Sequence, residues 1–278
     1  MSKKIWIAAP LLLFFHITVA QQNSVARSSK ALRDSIEKKY VQNGAERYSY
    51  FSHQWQQYLD SAIAITPDNA SLWELKSMPY DKSRKYEIGE KYLDKAVELD
   101  PHGYLDLRAF QKCIFYKKYR EALVDYEGAL KLKGNYTMME HPYSFYQGIC
   151  YLGLNEFDSA LVYFNKTIDT ELKTGGDSFI HFMDWFYKGI TLMEKEDYTT
   201  AIQFFDKTLQ RYEKFSDAQY YKSICLRKKG ETAAADKLLE QAQANFKLGY
   251  SFTEDNVVYE KYPYQLSGYI VQYHGKHM

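Results

Sequence analysis

Cysteine is scarce in this chain, and the little there is excludes two kinds of protein. Only Cys113, Cys150 and Cys225 occur. An odd number at such wide spacing forms no disulfide framework and matches no CxxC redox pair or thiolate metal knuckle. Each lies in an apolar helical stretch and reads as a small, buried free thiol; one disulfide among the three stays open. Charge of one sign is also missing. Thirty-six Lys and Arg balance 35 Asp and Glu, so there is no basic footprint for a phosphate backbone, and nucleic acid is not an expected partner. The chain has no HExxH, no GxSxG, no phosphate-binding Gly-rich loop and no dinucleotide fingerprint, which removes the commonest catalytic signatures. Beyond the first residues no run of eighteen apolar residues occurs, so no membrane insertion of the mature chain is expected.

What is there begins at the first residues. Lys3 and Lys4 precede an apolar stretch from Ile5 to Ile17, then Thr18-Val19-Ala20 and the polar pair Gln21-Gln22. This order predicts a signal peptide over 1–20, cleaved after Ala20, and hence an exported chain, periplasmic or secreted. Pro10 and His16 interrupt the stretch, and it falls short of the roughly 20 residues a spanning helix needs. No cysteine follows Ala20, so a lipid anchor there is not expected. Removing 1–20 takes away two lysines and no acids, leaving a formal balance of −1.

The organising feature is a repeat. The phrases LDSAIAITPDNA and LDKAVELDPHGY place Ala62 and Pro67, then Ala96 and Pro101, at a shift of 34 residues. Further segments fall on the same grid through a small, large, small triplet: Gly89/Leu93/Ala96, Ala122/Tyr126/Ala129, Ala160/Phe164/Thr167, Ala201/Phe205/Thr208 and Ala235/Leu239/Ala242. Gly148 and Gly189 stand twelve residues before Ala160 and Ala201, where a preceding helix would cross. Small residues at a crossing let two backbones approach while the large one fills the gap. Between the fourth and fifth units the step grows to 41 residues, Thr167 to Thr208, around Gly175-Gly176; this predicts a longer loop or an extended helix end followed by a turn.

This period and triplet resemble the tetratricopeptide repeat (TPR) family. The resemblance implies an all-α fold, a right-handed α-solenoid of helix-turn-helix repeats with an irregular C-terminal capping segment. The divisions expected are an N-terminal helical cap over 21–44, a solenoid of about six repeats over 45–247, and an aromatic-rich segment over 248–278. The pattern is uneven. Trp55 stands where the first unit should be small, and the closing proline occurs only after the first two units.

In this family the first helix of each pair lines the concave face. Projecting its grid onto the chain gives Leu107, Gln111, Phe145, Ile149, Leu152, Phe186, Ile190, Met193, Tyr220 and Ile224 as partner-binding candidates. This surface is apolar and lacks the Lys, Arg and Asn of the family's carboxylate-clamp grooves. An exposed apolar patch marks an interaction surface, and two occupants fit: a protein or peptide partner, or the chain's own stretch from Tyr250 to Tyr273, whose Pro263 and Gly268 exclude another full helix pair. Tyrosine is conspicuous, 27 of 278 residues; Tyr143, Tyr146, Tyr220 and Tyr221 are its leading contact candidates.

The expected function is thus a non-enzymatic protein–protein interaction scaffold of the periplasm or cell envelope, with no cofactor, no metal and no catalytic residues. One alternative is a structural or assembly component of the envelope. Another is an enzyme accessory using the 174–184 loop, where His181 and Asp184 stand three apart as a candidate acid/base or ligand pair; a solvated or capping pair near a helix start is the better reading of them. His274 and His277 have metal-like spacing in a tail that should fray.

Overall fold

The computed structural model describes residues 30–273 except Asn135. The expected signal peptide and the His274/His277 pair lie outside the described residues. Helix α1 (30–42) ends in a π-helical turn, Glu37–Gln42. It is followed by α2 (His53–Ile65), α3 (Ala70–Lys82), α4 (Tyr86–Leu99) and α5 (Pro101–Phe110), which runs into a second π-helical turn, Gln111–Phe115. Then come α6 (Tyr119–Lys133), a two-stranded hairpin of β1 (Thr137–Met138) and β2 (His141–Pro142), α7 (Tyr143–Gly153), α8 (Phe157–Gly175), α9 (Phe182–Glu194), α10 (Tyr198–Arg211), α11 (Ser216–Lys228), α12 (Thr232–Lys247) and the short α13 (Gly268–Tyr273).

Consecutive helices from α3 to α12 pack as antiparallel pairs, and each pair packs on the next. The fold is the α-solenoid expected from the repeat. Its cause is the triplet: Ala122, Tyr126, Ala129, Ala160, Phe164, Thr167, Ala201, Phe205 and Thr208 are all fully buried. A Cβ added at Gly148 would lie 2.6 Å from a ring carbon of Phe164, and one at Gly189 would lie 2.9 Å from Phe205. The large residue of each second helix therefore fills the notch left by glycine on the first.

The turns inside the pairs also repeat. Arg84, Lys117, Asn155, Glu196 and Gly230 all have left-handed backbone, φ 56 to 83°, the conformation that ends a helix and reverses the chain. The 41-residue step resolves into a longer α8, capped by Gly176 at φ 75°, and a 3-10 turn over Asp177–Phe179.

The apolar interior forms two clusters. The smaller joins α1, α2 and α3 through Ile36, Val41, Trp55, Leu59, Ala62 and Leu72. The larger runs from α5 to α12 and includes four residues of the C-terminal stretch, Phe252, Tyr262, Leu266 and Val271. All three cysteines are free and buried. Among the described residues no helix is long and apolar enough to cross a membrane.

The interlocked notch gives a direct test. Gly148→Ala should cost about 1–3 kcal/mol in urea denaturation because Phe164 has no room to yield. Gly268→Ala, where an added Cβ meets nothing within 4 Å, should stay within about 0.5 kcal/mol of the parent.

Candidate functional site in the concave groove

The first helices of the pairs, α3, α5, α7, α9 and α11, share one side of the solenoid, and residues 250–271 lie along it. After α12 the chain reverses at Gly249, φ 85°, and the Tyr250 carbonyl accepts from Ser216 N–H at 2.9 Å. Phe252 then enters an aromatic nest, with ring centroids 5.3 Å from Phe215, 5.6 Å from Phe186 and 5.7 Å from Tyr262. The segment continues to the N-terminal repeats, where the Tyr259 and Tyr50 hydroxyls share a hydrogen bond of 2.8 Å. Arg84 Nε donates to the Tyr259 carbonyl at 3.1 Å and the Tyr86 hydroxyl to Glu260. It returns along the groove to α11 and α12.

On the return leg the solenoid grips the main chain of the tail. Lys117 Nζ donates to the Lys261 carbonyl at 2.7 Å, the Tyr187 hydroxyl to Pro263 at 2.9 Å, and the Tyr221 hydroxyl to Tyr264 at 2.9 Å. Asp217 accepts from Leu266 N–H at 2.7 Å and from the Ser251 hydroxyl at 2.8 Å. Gln243 Nε2 donates to the Val271 carbonyl at 2.9 Å. Carbonyls and amides of an irregular segment have no partners of their own, so these side chains supply what secondary structure would otherwise provide.

The groove candidates separate into two groups. Phe145, Ile149, Leu152, Phe186, Ile190 and Tyr220 are buried in the same cluster as Phe252, Tyr262 and Leu266, with Met193 and Ile224 half-buried against it. Phe186 meets the tail directly through Phe252. Leu107 and Gln111 instead line an open cavity of about 490 Å³ toward the N-terminal end of the groove. The hydroxyls that hold the tail, Tyr187 and Tyr221, sit one residue beyond the projected Phe186 and Tyr220. Tyr221 is one of the tyrosine contact candidates read from the sequence; Tyr187 is not, and its place next to the projected Phe186 was the available signal.

The cavity is not purely apolar. Met78, Leu107, Phe110 and Phe115 form its walls, but Glu74, Glu140, Glu254 and Asp255 also face it, against Lys82 and His181. Burial raises the Glu74 carboxyl above its ordinary range, offset in part by Lys82. Part of the rim comes from the β1–β2 turn, where Met139 and Glu140 have φ 45° and 66°. Two adjacent non-glycine residues in left-handed backbone are strained. This hairpin, unannounced by the helical grid, carries His141 inward.

His141 is fully buried and neither ring nitrogen has a hydrogen-bond partner. Its ring stacks on Phe145, centroids 3.9 Å apart, and stands edge-on to His181 at 4.8 Å. Leaving one buried polar atom unsatisfied costs about 1–3 kcal/mol. His181 and Asp184 form the start of α9: His181 Nδ1 accepts from Met183 N–H at 3.4 Å, and Asp184 Oδ2 accepts from His181 N–H at 3.0 Å. Burial, and then His141, push the His181 imidazole down to about 4. Asp184, wholly buried beside Glu171, is held well above the usual carboxylate range by burial first and by Glu171 second.

Comparison with known proteins bears on the fold. Residues 70–102 match the tetratricopeptide repeat profile. Comparison with curated protein sequences gives no significant match. Among solved structures, the chain is similar to PilW, a widely conserved type IV pilus biogenesis factor, at 18% identity and TM-score 0.61, over 80% of this chain and 98% of PilW. It is also similar to MamA (41-end) of Desulfovibrio magneticus RS-1, at 14% identity and TM-score 0.54, over 66% of this chain and 98% of that one. Yeast Tom70 follows at 19% identity and TM-score 0.50, over 72% of this chain and 42% of Tom70.

Asp217 provides a pH test of the tail's seat. Burial pushes its carboxyl up to about 6, against the hydrogen bonds from Leu266, Ser251 and Ser216 that pull it down. A folded-state value above the unfolded one of about 3.9 contributes stability below pH 4 that is lost as pH rises through 6. The stability of the parent relative to Asp217→Asn, read by urea denaturation, should therefore fall between about pH 4 and pH 6 and then level off. A flat difference would place Asp217 in water, away from Leu266.

Proposed function

We propose that this tetratricopeptide-repeat protein is a non-enzymatic interaction scaffold of the exported compartment, whose concave groove takes an extended segment of protein chain. The observation that carries this reading is the tail itself. Tyr187, Tyr221, Lys117 and Arg84 bind carbonyls, and Asp217 binds an amide, so recognition is directed largely at main chain. A groove that holds one irregular segment in this way is built to hold a peptide. The cavity beside Leu107 and Gln111 extends the groove past the tail, and a partner segment with apolar and cationic side chains suits its apolar walls and acidic rim.

In this reading the partner either adds beside the tail or takes its place. The His181/Asp184 pair is engaged in capping α9, which weakens its use as acid and base in the 174–184 loop. The envelope location rests on the pattern of residues 1–20. The likeness to PilW suits an assembly role of the same broad class.

The test separates the tail from the groove without unfolding the chain. A protease site inserted after Gly249, an exposed turn residue, allows the folded protein to be cut and the fragment 250–278 to be followed. The cut tail should stay bound in size-exclusion chromatography and rebind as a labelled peptide. Tyr187→Phe and Tyr221→Phe should each weaken rebinding by roughly five-fold, the equivalent of about 1 kcal/mol. A tail that leaves at once and never rebinds would overturn the groove reading.

A further inference from the structure

We propose that His141, His181 and Glu254 form a binding site for a divalent transition metal of the zinc class, and that the ion staples the tail into the groove. The ion-binding part stands on the three side chains; the stapling part rests on the reading of the groove and tail given above.

One ligand atom from each of the three residues lies within 4.8 Å of the other two, and His141 Nε2 is 3.7 Å from Glu254 Oε1. Ligands held about 2.0–2.2 Å from a tetrahedral ion lie roughly 3.4 Å from one another. Drawing these atoms together by up to about 1.4 Å therefore completes the set. Two imidazoles and a carboxylate suit zinc, cobalt or nickel better than magnesium or calcium, which prefer oxygen alone.

The state of His141 points at an ion. His141 is fully buried, yet both its nitrogens lack partners, and a buried polar group without partners calls for an explanation. Asp184, whose carboxyl also meets Glu171, has Oδ1 3.9 Å from His141 Nδ1. With the ion on Nε2, the Nδ1 proton turns to Asp184, the carboxylate–histidine–metal relay that orients metal-bound imidazoles. His181 Nδ1 takes only a long contact of 3.4 Å from Met183 N–H; an ion on Nε2 moves the ring proton to Nδ1 and gives that contact up. One histidine is placed by the β1–β2 turn and its stack on Phe145, the other by the start of α9.

The third ligand is different in kind. Glu254 belongs to the tail, and its side chain is 9% exposed at this place. Two ligands on the solenoid and one on the tail make the site complete only when the tail is seated. His181 and Glu254 also line the cavity, from which water would complete the sphere. Metal affinity and tail closure are then linked: the ion binds the closed form and favours it.

The test uses the folded full chain, stripped with chelator, with His274 and His277 replaced by Gln so that the C-terminal pair does not compete. Titration with cobalt(II) should give one equivalent bound, with visible absorption bands of a low-coordinate site, and zinc should displace it. His181→Gln and Glu254→Gln should each weaken binding at least about tenfold. Glu254→Gln is the decisive variant if a His141 substitution fails to fold, since it alters only the tail. No binding at about 100 μM cobalt, or binding unchanged in both variants, would overturn the site. In the chain cut after residue 249, zinc should slow release of the tail at least about tenfold in the parent and leave it unchanged in Glu254→Gln. One equivalent bound with unaltered release would overturn the staple and leave the site standing. A tail that leaves the groove with and without zinc would mark failure of the groove reading instead.

Discussion

The structure depends on covering the inner face of a curve. Stacked helix pairs locked by notches such as Gly148 against Phe164 rotate slightly from one to the next, and one side of every first helix ends up on the concave surface. In this chain that side carries Phe145, Ile149, Phe186, Ile190 and Tyr187, too much apolar area to leave in water. The tail answers that constraint by inserting Phe252, Tyr262, Leu266 and Val271 into the same core. Having no helix of its own over most of its length, it brings unpaired carbonyls and amides with it, and tyrosine hydroxyls and Asp217 satisfy them. Apolar burial fixes where the tail goes, and polar satisfaction fixes how it lies.

Much of this was legible in the sequence because packing at helix crossings leaves a periodic trace. The triplets Ala160/Phe164/Thr167 and Ala201/Phe205/Thr208 reported the pairing, and Pro263 and Gly268 reported that the C-terminal stretch was something else. The extra length before α9 was readable as an extended helix end followed by a turn, and the structure has that form. Less legible was the chemistry between repeats. His141 sits in a two-residue strand whose turn, Met139-Glu140, lacks the glycine or asparagine that would have announced it. Its neighbours His181 and Glu254 are far away in the chain, and no local spacing connects the three. The acidic side of the cavity was hidden for the same reason, since Glu74, Glu140 and Glu254 come from three separate elements. The projected groove was apolar because it ran over the first helices from α5 to α11 and left out α3, the hairpin and the tail.

The same separation gives the groove two parts with different physics. Around α9 and α11 it is aromatic and filled by the tail. Near α3 and α5 it is open, partly acidic and lined by Leu107 and Gln111. Glu254 stands at the junction, on the tail, facing both the cavity and the buried histidines. A ligand arriving in the cavity meets the tail at that point, so occupancy of one part bears on the closure of the other.

The central claim is that the tail lies in the groove in solution, and the aromatic nest allows it to be observed directly. Nuclear Overhauser spectra of the chain with labelled phenylalanine should show cross-peaks between the ring of Phe252 and those of Phe186 and Phe215, whose centroids lie 5.6 and 5.3 Å away. Ring-shifted resonances for Phe252 together with those cross-peaks are the predicted result. A Phe252 ring at random-coil shifts with no cross-peak to either partner would contradict it.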